Sequence, residues 1–172
     1  MKYETTLVLI MHTFFSSSHL RYSLFHAACL SEHSDVVKLF LKYADDLQMD
    51  LNSDRGNGGH RPFGKTVLFG RSFEVLEMLL EDDRIEVNAS DNQGSTALIN
   101  IYGGSDYHGL FSHNRDEETV LQIIDLLQES PRIDVNLVDK KGRTPFHFAC
   151  QHQKSRKDGR RAELFLKMAK ER

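Results

Sequence analysis

The sequence predicts an all-α fold: a solenoid of helix pairs stacked side by side and joined by short hairpin fingers. Two observations predict it. First, a short segment recurs. Asn88-Ala-Ser-Asp91-Asn-Gln-Gly94-Ser-Thr96-Ala-Leu98 lines up with Asn136-Leu-Val-Asp139-Lys-Lys-Gly142-Arg-Thr144-Pro145-Phe146, and Gly64-Lys-Thr66-Val-Leu68 matches the second half of both. Second, leucine-rich stretches precede these segments at Val36–Leu41, Val75–Leu80 and Ile123–Leu127, each followed by a shared theme: Asp50-Leu51-Asn52, Ile85-Glu-Val87-Asn88 and Ile133-Asp-Val135-Asn136. A recurring helix pair cannot bury its apolar face alone; stacking on its neighbours buries it.

Each element has a local physical cause. Thr5 to Phe15 (TTLVLIMHTFF) is apolar but too short for a bilayer, which needs about 20 such residues. Residues 1–22 are read either as a degenerate element covering the first helices or as a signal segment with Ser16-Ser17-Ser18 at its end; Glu4 offsets Lys2 where a signal would be positive. Val36 and Val37 with Leu39, Phe40 and Leu41 place apolar side chains on one helical face. Thr144-Pro145 suits a helix start, because threonine caps free N–H groups and proline's φ fits the first turn. Small Ala28, Cys29, Ala149 and Cys150 permit close helix approach, and both cysteines are expected to be buried. Asp91 to Gly94 is turn chemistry: aspartate bonds its own backbone and glycine accepts positive φ.

Together these residues resemble the ankyrin repeat. Ser23-Leu-Phe25-His26-Ala-Ala28-Cys29, followed by Asp35-Val36-Val37-Lys38-Leu39-Phe40-Leu41, keeps the family spacing, and Thr144-Pro145-Phe146-His147-Phe-Ala149-Cys150 is nearly as close. The resemblance covers four repeats, about 23–54, 55–90, 91–138 and 139–172. Their starts are expected at Ser23, Thr66, Thr96 and Thr144, which makes the spacing irregular. Extra residues form an enlarged finger (Asp54 to Phe63), a long insert (Gly103 to Thr119) and a smaller insert near Gln153 to Gly159. In this register repeat two has a stunted first helix interrupted by Gly70, the expected weak joint.

Gly59, Gly64, Lys65 and Thr66 fit the phosphate-binding pattern G-x-x-x-x-G-K-[ST]. Such a loop follows a buried strand, and the preceding DLNSDRGNGG cannot form one. The tripeptide is better explained as the counterpart of Gly94-Ser95-Thr96 and Gly142-Arg143-Thr144, with Gly59 matching by accident. His26-x-x-Cys29 and His147-x-x-Cys150 look like metal pairs, but they occupy equivalent sites of the first and last repeats, which a stack holds apart. The resemblance implies that this histidine ties a finger to its neighbour. No nucleophile elbow is present. The clusters Glu81-Asp82-Asp83 and Asp116-Glu117-Glu118 suit solvated loops and a helix dipole. The basic stretch at Lys154 to Arg161 reads as a solvated loop, with an acidic-partner or nuclear-import patch as the alternative. Leu164, Phe165, Leu166 and Met168 leave apolar surface that polar capping, a further repeat or self-association would cover.

With 172 residues and 40% hydrophobic content, the chain can bury one core. A net charge of −3 gives no general pull toward nucleic acid or anionic membranes. Two cysteines make no disulfide framework, which points to a reducing, cytoplasmic setting. The resemblance implies a non-catalytic protein-binding module without metal or cofactor, its partner recognised by fingertips and first helices. The matching positions are Asn92, Gln93 and Ser95 on one finger, Lys140, Lys141 and Arg143 on the next, and Leu30, Ser31, Gln151 and His152 on the helices. Tyr107 and Phe111 in the insert add candidate anchors. The alternatives are a targeting arm of a larger enzyme and a secreted effector.

Overall fold

A computed structural model describes residues 23–31, 33–54, 57–103, 117–151, 163 and 166. Among them the chain is all-helical: α1 (Leu24–Leu30), α2 (Ser34–Tyr43), α3 (Pro62–Phe69), α4 (Phe73–Glu81), α5 (Ala97–Ile101), α6 (Glu117–Glu129) and α7 (Pro145–Gln151), with a 3₁₀ turn at Asn57–Gly59. None of the described helices is long and apolar enough to cross a membrane. The N-terminal segment 1–22 lies outside the described residues.

Two layers result. In one, α1 packs on α3, α3 on α5 and α5 on α7; in the other, α2 packs on α4. Each outer helix also lies against its inner partner, α2 on α1, α4 on α3 and α6 on α5. The apolar stripes of the sequence point between the layers: Val37 and Phe40, then Val75, Leu76, Leu79 and Leu80, then Val120, Ile123, Ile124 and Leu127 are buried. Each such side chain contributes about 1.5–3 kcal/mol by leaving water. Tyr102 is fully buried after α5, and its hydroxyl accepts a 2.6 Å bond from Gln128 of α6. Burial of a phenol is tolerable because that hydroxyl is paired.

Polar contacts recur from one unit to the next. Asn52 Nδ2 donates to the Arg84 carbonyl and its Oδ1 accepts the Glu86 N–H; Asn88 makes the same pair with Arg132 and Asp134. This is the reason for the repeated asparagine. The following arginine clamps the end of the preceding outer helix. Arg84 Nη2 donates to the Leu41 carbonyl (2.7 Å) and Arg132 Nη1 to that of Leu80 (2.8 Å). Arg132 also reaches the carbonyls of Asp82, Asp83 and Ile85. The bonds to Leu41 and Leu80 serve C-terminal helix carbonyls that have no partner within the helix, and the others hold the loop that follows α4.

The expected register of repeat two is corrected. Its first helix starts after Arg61, with Pro62 in the first turn, and runs eight residues to Phe69. Thr66 is therefore no cap: it lies inside α3, buried, and its hydroxyl donates to the Pro62 carbonyl at 2.9 Å. The helix is not stunted, because Gly70 ends it rather than interrupting it. The short inner helix is α5, with five residues. Gly59 is no accident either. It stands two residues before the helix-flanking Arg61, as Gly94 and Gly142 stand before Thr96 and Thr144, and all three have positive φ. Pro62 and Phe63, expected in an enlarged finger, are buried in α3. A proline's preference for the first helical turn outweighs the Gly-Lys-Thr match.

Candidate functional site

The fingers precede the inner helices, and two of them are built alike. Asp91 Oδ1 accepts the N–H groups of Gln93 and Ser95; Asp139 Oδ1 accepts those of Lys141 and Arg143. The main chain closes each finger, with Asp91 N–H to Ser95 C=O and Asp139 N–H to Arg143 C=O, both 3.0 Å. The fingers then stack. Asn92 N–H donates to Gly58 C=O (3.1 Å), and Lys140 N–H donates to Gln93 C=O (3.4 Å) at the equivalent place one unit on. Lys140 Nζ adds a 2.7 Å bond to Asn92 C=O. The contact is close enough to require glycine: a Cβ at Gly94, where φ is +81°, would lie 2.9 Å from the Lys140 backbone nitrogen.

The second oxygens of the two aspartates differ. Asp139 Oδ2 accepts Arg143 Nε at 2.8 Å and pairs with Nη2 at 2.7 Å. The Arg143 guanidinium sits 4.4 Å over the Phe148 ring. Burial pushes the Asp139 carboxyl up, but the Arg143 N–H groups and the Lys141 N–H together hold it below its ordinary value. Asp91 Oδ2 instead accepts Asn100 Nδ2 (2.9 Å) and faces His60 Nδ1 at 3.6 Å. His26 Nε2 donates to the His60 carbonyl, 34 residues on, and its Nδ1 accepts the Ser23 hydroxyl. Thr144 and His147 repeat the latter pairing at 2.8 Å. Burial, with Lys65 nearby, keeps the His60 ring below its ordinary value against the pull of Asp91. Burial likewise lowers His26, opposed by its bond to His60.

The candidate residues divide as follows. Asn92, Gln93, Lys140 and Lys141 are exposed at the tips, and Arg143 is half-buried. Ser95 is corrected: it is 1% exposed, its hydroxyl makes no hydrogen bond, and it offers a partner nothing from the surface. Closure by its own N–H and C=O turns its side chain inward. Leu30 and Ser31 are half-buried at the end of α1, and the Ser31 hydroxyl caps Ala28 C=O at 2.7 Å. Gln151 ends α7. His152, Tyr107 and Phe111 lie outside the described residues. Sequence reasoning missed His60 and Asn100 and put Lys65 in a finger, whereas it lies buried in α3 beside His60. The Pro62-Phe63 match to Pro145-Phe146 was the signal that would have placed them.

Two chemical readings fare differently from a binding surface. Gly64, Lys65 and Thr66 lie in α3, where the Lys65 N–H is spent on Arg61 C=O (2.9 Å). Lys65 itself is buried, its ammonium 4.7 Å over Phe69. A helix is not the phosphate-cradling nest of the motif. The Cys29 thiol is pushed up to about 12 by burial, only partly offset by Thr66, so it is a poor nucleophile. Cys150 corrects the expectation of a buried pair: it is exposed. The buried Cys29 is met by Thr66 of the following inner helix, α3. No cluster of metal-ligating side chains occurs among the described residues. Compared with known proteins, the chain matches no family model, and no curated protein is significantly similar to it.

Proposed function

We propose that the chain is an irregular ankyrin-repeat array acting as a non-catalytic protein-binding module, its partner met by the fingertips and inner helices. The observation that carries this reading is the repeated finger contact: Asn92 N–H to Gly58 C=O, then Lys140 N–H to Gln93 C=O. The Asn52 and Asn88 bridges and the Arg84 and Arg132 clamps, each recurring one unit on, support it. Such a row sets exposed side chains of successive fingers in line on a rigid frame, which lowers the ordering cost of binding an extended surface.

The test is site-specific photo-crosslinking with the full chain in its source cells. A benzophenone side chain at Gln93 or Lys141 is expected to capture one discrete protein, and the same group at Glu77 or Glu129 on the outer helices is not. Capture from the outer helices alone would overturn the assignment of the binding face. The absence of any discrete adduct from all four positions would overturn the function.

A further inference from the structure

We propose that the tips of the two fingers at 91–95 and 139–143 dock an acidic peptide segment, which deepens the protein-binding reading above and rests on it. Charge is sorted between the fingers and the outer helices α4 and α6; the first outer helix, α2, is mixed, with exposed Asp35, Lys38 and Lys42. Glu74, Glu77 and Glu81 on α4 and Glu118, Asp125 and Glu129 on α6 are exposed, and neither helix contains a lysine or arginine. The tip of the 139–143 finger carries the opposite sign, and that of the 91–95 finger is neutral. Lys140 and Lys141 are exposed and Arg143 is half-exposed, whereas the only carboxylates of the two fingers, Asp91 and Asp139, are buried.

Those carboxylates are also chemically occupied. Asp139 takes two backbone N–H groups and the Arg143 guanidinium, and Asp91 takes two backbone N–H groups and the Asn100 amide. Neither is free to offset a lysine for an approaching ligand. One finger thus presents three cations against one internal anion. Arg143 is fixed in orientation, because Asp139 fills its Nε and Nη2 edge and the Phe148 ring lies under its plane; Nη1 is the edge directed away from that pair. A guanidinium fixed on both counts loses little freedom when it takes a second carboxylate. The surface beside it is open, since nothing lies within 4 Å of where a Gly142 side chain would stand. Lys140 Nζ, tied to Asn92 C=O, lies at the junction of the fingers. The adjoining exposed amides of Asn92 and Gln93 suit the backbone of an extended peptide better than a phosphate chain. The acidic faces of α4 and α6 repel the same ligand, so their field directs the peptide to the tips.

Fluorescence anisotropy of the full chain tests this with three labelled probes: a short glutamate-rich peptide, a lysine-rich peptide of equal length, and a single-stranded oligothymidine of matched charge. The glutamate-rich peptide is expected to bind best and to weaken as salt rises. Lys141→Glu, at an exposed tip, should weaken it about tenfold. Glu77→Lys on the outer layer should change it less than about twofold. Equal and opposite shifts from the two variants would mean that only net charge matters, which overturns the proposal. Tighter binding of the oligothymidine would reassign the tips to nucleic acid. No preference for the acidic peptide, with finger crosslinks to a protein retained, would overturn the partner class and leave the binding function standing. Loss of both would remove the function as well.

Discussion

Alanine at Gly94 and alanine at Gly142 are the same chemical change in the same turn, and the structure assigns them different consequences. Both glycines have positive φ, +81° and +74°. An L side chain there costs about 1 kcal/mol. At Gly142 that is the whole penalty, because the new methyl meets nothing within 4 Å. At Gly94 it would lie 2.8 Å from Lys140 Cγ and 2.9 Å from the Lys140 backbone nitrogen. The lysine stem can swing aside; the nitrogen cannot move without its finger. Separating the fingers weakens Lys140 N–H to Gln93 C=O and Lys140 Nζ to Asn92 C=O. At about 1 kcal/mol for each bond, Gly94→Ala should cost about 3 kcal/mol in all. Urea unfolding followed by far-ultraviolet circular dichroism gives the two midpoints. Because stacked repeats can unfold in pieces, amide exchange at 91–95 and 139–143 should accompany it. Gly94→Ala should expose both fingers to exchange, Gly142→Ala only its own. Equal losses of stability in the two variants would refute the close-stacking argument.

Two further outcomes follow from the same geometry. Arg132→Ala removes donors from the carbonyls of Leu80, Asp82, Asp83 and Ile85 and should cost about 2–3 kcal/mol, measured by urea midpoint; Arg132→Lys, which keeps charge without the fork, should recover only part of it. Acid should loosen the fold from the first units. His26 and His60 are held below the ordinary 6.5, with Lys65, Asp50 and Asp91 as the charges that act on them, so the unfolded chain takes up protons first. Their contribution is complete above about pH 6.5 and falls as pH drops below it, by at most about 1.4 kcal/mol per pH unit for each ring. His60→Gln should flatten the midpoint against pH between 6.5 and 5; an unchanged slope would contradict the burial of its neutral ring. Asp139, also held below its ordinary value, adds its loss only as pH falls below about 3.8.

The legible part of the fold was what periodicity and turn chemistry write locally. The stripes at Val36–Leu41, Val75–Leu80 and Ile123–Leu127 lie in outer helices with their buried residues facing the core, although Val36, expected on the apolar face, is exposed, and Asp91-x-x-Gly94 and Asp139-x-x-Gly142 became closed turns. Repeat two was misplaced because two local patterns competed for one stretch. Gly64-Lys65-Thr66 resembled the finger of its neighbours, and His60-Arg61-Pro62 did not, although the proline carried the stronger helix-start signal. Arg61 also lacks the capping hydroxyl of Ser23 and Thr96, and its side chain makes no cap bond. Of the candidate residues, Asn92, Gln93, Lys140 and Lys141 are exposed, as central residues of a turn are. The burial of Ser95 and the exposure of Cys150 were not legible, since both depend on packing.

By itself the sequence determined the helical character of the described chain and the polar hinges between its units. These depend on interactions within a few residues: apolar spacing, an aspartate bonding its own turn, a glycine at positive φ. Only the tertiary structure decided which segments are equivalent, which finger touches which, and where charge is spent internally and where it faces out. Those follow from contacts such as His26 with His60, Asn88 with Arg132 and Lys140 with Asn92, between residues far apart in the chain. Their partners are chosen by packing, and no local pattern records that choice.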